Sequence, residues 1–205
     1  PTKEQGHWGM ADYIAACEKA LEVVASITGS KKVNVSAGCS GGQTASVLAS
    51  KLAATNNPIL GSLTLMVCVL HPKPTDIEAG SLVSENGMQL ARQRAMKAGV
   101  IKADDLARGF AWLRPNDLIW NYVVNNYLEG KQPPVFDLLY WNGDSTNLPG
   151  PMYCWYLRHT YLQNELKQPG KLTVCGEKVD LGAIEAPVFV YGSREDHIVP
   201  WKAAY

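Results

Sequence analysis

The first part of the chain carries apolar residues at helical spacing. Over 10–28 one face is formed by five such residues: Ile14, Cys17, Leu21, Val24 and Ile27. Gly29 follows directly, where a glycine commonly caps the C-terminus of a helix. This spacing of three and four residues predicts an amphipathic helix that buries one face.

The next segments alternate between strand and helix patterns. A short β-rich run at 33–37 ends in a glycine turn at 38–42, and helical periodicity returns over 43–54. A second strand pattern, 62–70, is too apolar to alternate. Because near-continuous apolar strands are typical of parallel sheets covered on both faces, this order predicts an α/β fold with a β-α-β unit.

The middle of the chain changes character. Helical patterns cover 81–99, 104–112 and 115–127, and the stretch 132–151 is rich in Pro, Gly, Asn and Asp, which favours irregular loop. We interpret 79–170 as an inserted helical and irregular lid over the sheet.

Strand patterns return near the end of the chain. They cover 172–175 and, more clearly, 187–191. The predicted organisation is therefore a first core part at 1–78 and a second core part at 171–205, with the lid between them.

Composition narrows the classes of partner. The 19 basic and 19 acidic side chains cancel to a formal charge of zero, so the chain has no electrostatic footprint for nucleic acid or an anionic membrane. Apolar runs such as 63–70 are far shorter than the about 20 residues that span a bilayer. The start, 1–9, is polar and mixed in charge, unlike a signal peptide. We expect a soluble, cytoplasmic protein without a membrane span.

Cysteine and histidine positions argue against a disulfide framework or a metal site. The five cysteines are widely scattered and form no CxxC pair, and the four histidines show no HExxH spacing. We therefore expect reduced thiols and no metal. The positions are Cys17, Cys39, Cys68, Cys154 and Cys175, and His7, His71, His159 and His197.

Candidate chemistry begins at the glycine turn, where a predicted strand runs into a predicted helix. Such a strand-turn-helix lifts its central residue, here Cys39, above the edge of the sheet as a nucleophile elbow. Small residues two places to either side, Ala37 and Gly41, are expected to let the two backbones approach. The helix start favours the thiolate of Cys39, and the N–H of Ser40 is expected to serve as one oxyanion-hole donor.

Two alternative interpretations of this turn are a simple glycine-rich turn with a buried cysteine and a phosphate-binding loop. Neither the Gly-Lys-Ser/Thr of a P-loop nor the GxGxxG of a dinucleotide site is present at the turn. The catalytic interpretation is favoured by Asp196, which follows the strand pattern at 188–191 in the order nucleophile, then acid.

Several long motifs extend this interpretation, and together they cover essentially the whole chain. They are Ser40-Gly41-Gly42 after Cys39, 113–122 (LRPNDLIWNY), 141–144 (WNGD), 147–151 (NLPGP) and 192–201 (GSREDHIVPW). These motifs resemble those of polyhydroxyalkanoate synthases. Residues 153–166 are similar to synthases of short-chain monomers, whereas 8–10 and the turn 38–42 are similar to the medium-chain type.

The resemblance implies an α/β-hydrolase core, a mostly parallel sheet flanked by helices, with an inserted lid. It also implies a cysteine, aspartate and histidine triad, in which Cys39 attacks a 3-hydroxyacyl-coenzyme A thioester and coenzyme A leaves. A 3-hydroxyl group then extends the polyester on the acyl-cysteine. Asp196 would orient the histidine or help to deprotonate the hydroxyl. Coenzyme A is a leaving group in this scheme, so no cofactor is expected.

The family's general-base histidine is expected beyond Tyr205, and a loop before Pro1 is expected to supply the second oxyanion donor. We therefore interpret the chain as truncated at both ends and expect it to be inactive alone. His197, next to Asp196, is assigned a supporting role. Three further side chains are assigned to substrate binding, with packing or ion pairing as the competing interpretation: Trp120, Trp201 and Arg158.

The resemblance also implies partners. They are the acyl-coenzyme A, the polyester chain or granule surface in the cytoplasm and, in the full-length enzyme, a second copy of the protein. Two other functions remain open. One is a thiol-dependent α/β-hydrolase that releases the acyl group to water, and the other is a non-catalytic granule-associated module.

Overall fold

The computed structural model of the protein describes most of the chain. The described residues are 1–72, 83–113, 115–133, 135, 137–196 and 198–204. The first residues of the helix predicted at 81–99, and His197, lie outside them.

Helices and strands alternate along the described residues. The α-helices are α1 (Met10–Thr28), α2 (Cys39–Ala54), α3 (Glu85–Ala98), α4 (Ala103–Leu113), α5 (Asp137–Gly143) and α6 (Gly150–Tyr156). The strands are β1 (Val33–Gly38), β2 (Leu60–Met66), β3 (Val100–Ile101), β4 (Leu148–Pro149), β5 (Thr173–Val174), β6 (Glu177–Lys178) and β7 (Val188–Tyr191). Three π-helical segments cover Asn116–Trp120, Val123–Leu128 and Leu157–Leu162.

Helix α1 has well-defined ends. The N–H of Gly9 donates a hydrogen bond of 2.7 Å to the Asp12 carboxylate, and Gly29 ends the helix in the left-handed conformation with φ +67°. Ile14 and Leu21 are buried on its inner face. The helix predicted over 10–28 is therefore confirmed.

A three-stranded parallel sheet forms the centre of the fold, in the order β1-β2-β7. Gly38 at the end of β1 lies opposite Met66, and Met66 lies opposite Tyr191 at the end of β7. The three strands therefore end at the same edge, as the predicted β-α-β unit requires. The α/β fold class is confirmed.

Strand β2 ends earlier than the pattern at 62–70 predicts. Val67 has φ +46°, a left-handed conformation that takes the chain out of the sheet. Its N–H still donates to the Tyr191 carbonyl at 2.8 Å. The N–H groups of Leu70 and His71 then donate to the carbonyl of Ala203, both at 2.9 Å, so this segment packs against the end of the chain.

Helix α2 is the most buried element near the sheet. It begins at Cys39, four residues before the predicted start at 43, and residues 42–50 are all buried. Buried Gln43 donates a hydrogen bond from its side chain to the Val69 carbonyl, and Ser46 donates one of 2.8 Å to the Gly42 carbonyl. The bond from Gln43 fixes α2 against the segment that follows β2, whereas the bond from Ser46 lies within the helix.

The predictions for the middle of the chain are partly wrong. The helix predicted at 115–127 is two π-helical segments, and the loop predicted at 132–151 contains α5 and the short strand β4. Strand β4 pairs antiparallel with β3. Gly150 permits close packing of α6 on α3, because a Cβ there would lie 2.5 Å from the Ala95 Cβ. Tertiary packing, which composition does not encode, organises this region.

The two strand signals near the end have different outcomes. The pattern at 172–175 forms only a two-residue strand, β5, which pairs antiparallel with β6. The pattern at 187–191 forms β7 and joins the central sheet, as predicted.

Large aromatic side chains are exposed in the middle of the chain: Phe110, Trp112, Trp120, Tyr127, Tyr140 and Trp141. None of the helices in the described ranges combines the length and apolar character needed to cross a bilayer. The interpretation of 79–170 as a lid, with core parts on either side, stays a prediction.

Candidate active site

Cys39 occupies the bend between β1 and α2. Its φ is +50°, in the left-handed region that residues with a side chain rarely adopt, and the residue is exposed. Strain of this kind costs of order 1–3 kcal/mol and persists only where the surrounding structure holds it. The sharp turn predicted at Cys39 is present, and it lies at the carboxyl edge of the parallel sheet.

In this turn, the glycine that another part of the chain approaches closely is Gly42 rather than Gly41. A Cβ on Gly42 would lie 1.8 Å from the Cys68 sulfur, whereas a Cβ on Gly41 would meet no atom within 4 Å. The prediction that Gly41 is needed for backbone approach is therefore wrong. The reason is that the residue crowding α2 comes from the segment after β2, which the local motif does not include.

Substituting Gly42→Ala is expected to destabilise the fold by about 1–3 kcal/mol, because the new methyl group overlaps the buried Cys68 side chain. Gly41→Ala is the matched control in the same helix. It is expected to be neutral or slightly stabilising, since the space around it is open. Denaturant unfolding of both variants measures the difference. Equal stabilities would contradict the packing of Cys68 against Gly42.

Cys68 lies fully buried beneath the bend. Its sulfur is 3.3 Å from the Met66 carbonyl oxygen and 3.6 Å from the Ala37 carbonyl oxygen. Burial, followed by the nearby Cys39, raises the pKa of Cys68 to about 11. Hydrogen bonding with the backbone of Met66, followed by that of Gly42 and Cys39, opposes this rise. Cys68 is therefore a neutral thiol at neutral pH.

This buried thiol predicts a loss of stability at alkaline pH. Since the pKa of Cys68 is raised from 9.0 to about 11, the folded protein holds the proton more tightly than the unfolded chain does. Stability that is fully present below the unfolded pKa is therefore lost as the pH rises through the folded pKa. The free energy of unfolding, measured at a series of alkaline pH values, gives the slope of stability against pH. Cys68→Val is expected to flatten this slope. An unchanged slope in this variant would exclude Cys68 as its source.

Helix α2 begins with backbone groups that favour an anion. Its N-cap, Gly38, supplies no side-chain hydrogen bond. The first turn of a helix has N–H groups without intrahelical partners, and its dipole is positive at this end. Ser40 is exposed directly beside Cys39. This arrangement is compatible with the oxyanion role predicted for the Ser40 N–H, which stays a prediction.

Asp196 lies in the loop that follows β7 and is half-buried. Its Oδ1 accepts hydrogen bonds of 2.9 Å from the N–H groups of Ile198 and Val199. Buried Val199 packs with Val69 from the segment after β2, which anchors the loop. Among the described residues both loop bonds use Oδ1, so the other carboxylate oxygen is open to a further group there.

The sheet brings the bend at Cys39 and the start of the Asp196 loop to one edge. Strands β1 and β7 flank β2, and Gly38 and Tyr191 each lie opposite Met66. Adjacent strands are about 4.8 Å apart, so the ends of β1 and β7 are separated by about 10 Å. The bend at Cys39 and the loop that holds Asp196 therefore leave the same edge of the sheet two strands apart.

Two of the three histidines in the described ranges, His71 and His159, have partners away from Cys39. The ring nitrogens of His71 lie 2.9 Å from the Asn164 amide nitrogen and 3.0 Å from Lys167 Nζ. His159 pairs with a glutamate at 2.6 Å. In the same ranges, no three His, Cys, Asp or Glu side chains are grouped to hold a metal ion. The supporting role of His197 stays a prediction, because that residue lies outside them.

Two tyrosines not assigned to the site from the sequence lie near Cys39. Tyr156 ends α6 and Tyr161 lies in the following π-helix; their hydroxyl oxygens are 3.5 Å apart and their rings meet edge to face. Burial raises the pKa of both hydroxyls, and Cys39 adds to the rise in each. A spacing of five residues matches the i→i+5 repeat of a π-helix, a rare geometry that the sequence does not signal.

The side chains assigned to substrate have separate environments. Trp120 is 52% exposed at the end of the first π-helix. Trp201 lies against Gly192 beside the Asp196 loop, since a Cβ on Gly192 would be 3.1 Å from the Trp201 Cβ. Arg158 pairs with Glu85 at 2.8 Å, in line with the competing ion-pair interpretation. Their assignment to substrate stays a prediction.

Comparison with known proteins agrees with this fold and with the resemblance. A family model described as alpha/beta hydrolase fold matches residues 2–205. The chain is 53% identical to the poly(3-hydroxyalkanoate) polymerase subunit PhaC of Cupriavidus necator, over 95% of this chain and 34% of that protein. It is 42% identical to poly(3-hydroxyalkanoate) polymerase 1 of Ectopseudomonas oleovorans, over 100% of this chain and 36% of that protein.

A more distant relative is the PhaC polymerase subunit of Haloarcula marismortui, 27% identical over 100% of this chain and 43% of that protein. The chain thus spans about a third of the length of the first two curated relatives and somewhat more of the third. The similarity predicted from the motifs is confirmed. The chain belongs to the α/β-hydrolase fold family and is, within it, a relative of poly(3-hydroxyalkanoate) polymerases.

Proposed function

We propose that the whole protein polymerises 3-hydroxyacyl-coenzyme A into polyester and releases coenzyme A. The observation that carries this proposal is the position of Cys39. It is an exposed thiol, held at φ +50° as the first residue of α2, at the sheet edge where β7, the strand before the Asp196 loop, also ends. The similarity to polymerases supplies the substrate class.

The first half-reaction loads the protein with an acyl group. The Cys39 thiolate attacks the thioester carbonyl, and the N–H of Ser40 stabilises the resulting oxyanion. Collapse of this intermediate breaks the bond to coenzyme A, which leaves as a thiolate and takes up a proton. An acyl-S-cysteine remains at Cys39. The positive end of α2 favours the thiolate that starts the reaction.

The second half-reaction extends the polyester. A 3-hydroxyl group attacks the acyl-S-cysteine, its proton passes to a general base, and the new ester bond forms as the Cys39 thiolate is released. We propose a histidine as this base, as the resemblance implies, with Asp196 orienting it through the carboxylate oxygen that the loop bonds do not use. His197 has a supporting role beside Asp196.

The substrate and partners follow from the same proposal. Trp201, beside the Asp196 loop, contacts the acyl group, while Trp120 and Arg158 contact more distant parts of the substrate. Coenzyme A is the leaving group, so the chemistry needs no cofactor. The whole protein acts as a homodimer at the surface of polyester granules in the cytoplasm. The exposed aromatic side chains of the middle of the chain support contact with an apolar surface.

The test uses the full-length protein with 3-hydroxybutyryl-coenzyme A and with a medium-chain 3-hydroxyacyl-coenzyme A. Coenzyme A release together with polymer is the expected result. Coenzyme A release with free 3-hydroxy acid would instead show a thiol-dependent hydrolase. No release, combined with equally slow iodoacetamide labelling of Cys39 and the other cysteines, would show a non-catalytic module.

A further inference from the structure

A buried thiol occupies the space beneath the proposed nucleophile. The Cys68 sulfur contacts carbonyl oxygens at the ends of two strands, Ala37 of β1 at 3.6 Å and Met66 of β2 at 3.3 Å. From the other side, Gly42 of α2 leaves room for the sulfur, because a Cβ there would lie 1.8 Å from it. One side chain therefore contacts all three elements that meet at the bend.

The backbone next to these contacts is in an unfavourable conformation. Cys39 has φ +50°, and Val67, which directly precedes Cys68, has φ +46°. Left-handed residues other than glycine persist only where their surroundings hold them. The N-cap Gly38 supplies no side-chain hydrogen bond to the start of α2. The contacts that fix this turn therefore have to come from outside it, and Cys68 is placed to supply them.

We propose that Cys68 is a positioning residue for Cys39: its thiol links the ends of β1 and β2 to the first turn of α2 and holds the strained backbone in which Cys39 reacts. This inference rests on the proposed function. A neutral group suits the position, since burial raises the pKa of Cys68 to about 11. No second negative charge then opposes a thiolate at Cys39.

The chemistry of the side chain separates this role from simple filling of space. Serine keeps a hydrogen-bond donor in a slightly smaller side chain, whereas valine has bulk similar to cysteine and no donor. Positioning through hydrogen bonds requires that serine replace Cys68 better than valine does. Filling of space requires the reverse order.

The test measures alkylation of individual cysteines by iodoacetamide in the full-length protein, by peptide mass spectrometry, from about pH 6 to about pH 9. In Cys68→Val, the alkylation of Cys39 at neutral pH is expected to slow about fivefold, the equivalent of one net hydrogen bond. In Cys68→Ser it is expected to stay within about twofold of the unchanged protein. Cys175, an exposed thiol against α1, is the internal control.

Equal Cys39 rates in the three proteins, or a slower rate with serine than with valine, would overturn the inference. If Cys68→Val does not fold, Cys68→Ala takes its place: a rate below that of Cys68→Ser supports positioning, and an equal rate overturns it. Failure of the proposed function looks different. In that case Cys39 would be no more reactive than Cys175 in the unchanged protein.

Discussion

Cys39→Ala is expected to reduce coenzyme A release by the full-length protein at least about a thousandfold, because no sulfur remains to carry the acyl group. The fold is expected to be unchanged, since Cys39 is exposed and alanine keeps the Cβ that the left-handed backbone already accommodates. Steady-state assays measure the loss. Mass spectrometry after brief exposure to substrate is expected to find an acyl adduct on the Cys39 peptide of the unchanged protein.

Cys175→Ala is the matched control for this substitution. Cys175 is also exposed and also has a left-handed backbone, with φ +53°, but it lies against α1 rather than at the sheet edge. It is expected to retain full turnover. If Cys39→Ala and Cys175→Ala retained similar turnover, Cys39 would have no part in the mechanism.

Asp196→Asn is expected to lower turnover by about a hundredfold to ten-thousandfold, because the general base loses the negative charge that orients it. The loop is expected to stay folded. An asparagine oxygen can still accept the two hydrogen bonds from Ile198 and Val199 that Oδ1 accepts. Asp196→Ala removes these bonds as well and is expected to cost about 1–3 kcal/mol of stability. Turnover assays and denaturant unfolding, run on both variants, distinguish the effect of the lost charge on catalysis from the effect of the lost hydrogen bonds on loop structure.

Asp180→Asn provides the control for Asp196→Asn. Asp180 also accepts a hydrogen bond from a nearby backbone N–H, that of Gly182 at 2.8 Å. Its own N–H donates to the Ser50 hydroxyl, which lies in α2 well beyond the turn at Cys39. Its amide variant is expected to keep normal turnover. A similar loss in both variants would mean that the charge of Asp196 has no special role.

Local patterns predicted the elements whose structure depends on local chemistry. The helix over 10–28 and the strand at 187–191 follow from apolar spacing, and the bend at Cys39 follows from small residues between a strand and a helix. Each of these signals lies within a few residues of the feature that it predicts. The same patterns also placed Asp196 after the strand that pairs with β2.

Features that depend on contacts distant in sequence were not predictable in the same way. The crowding at Gly42 comes from Cys68, and the early end of β2 comes from the left-handed Val67, which hydrophobicity does not encode. The site tyrosines, Tyr156 and Tyr161, meet because the backbone there is π-helical. A short π-helical segment is rare and has no sequence signal of its own, so the pairing of these tyrosines could not be predicted from the sequence.

Because the backbone at Cys39 is left-handed, heat resistance and catalysis favour different residues at this one position. Glycine adopts this conformation without steric penalty, so Cys39→Gly relieves the strain that cysteine retains there. Random mutagenesis followed by selection for survival at high temperature alone would consequently favour loss of the proposed nucleophile. A programme to make a more durable enzyme from this scaffold has to select for product at every round.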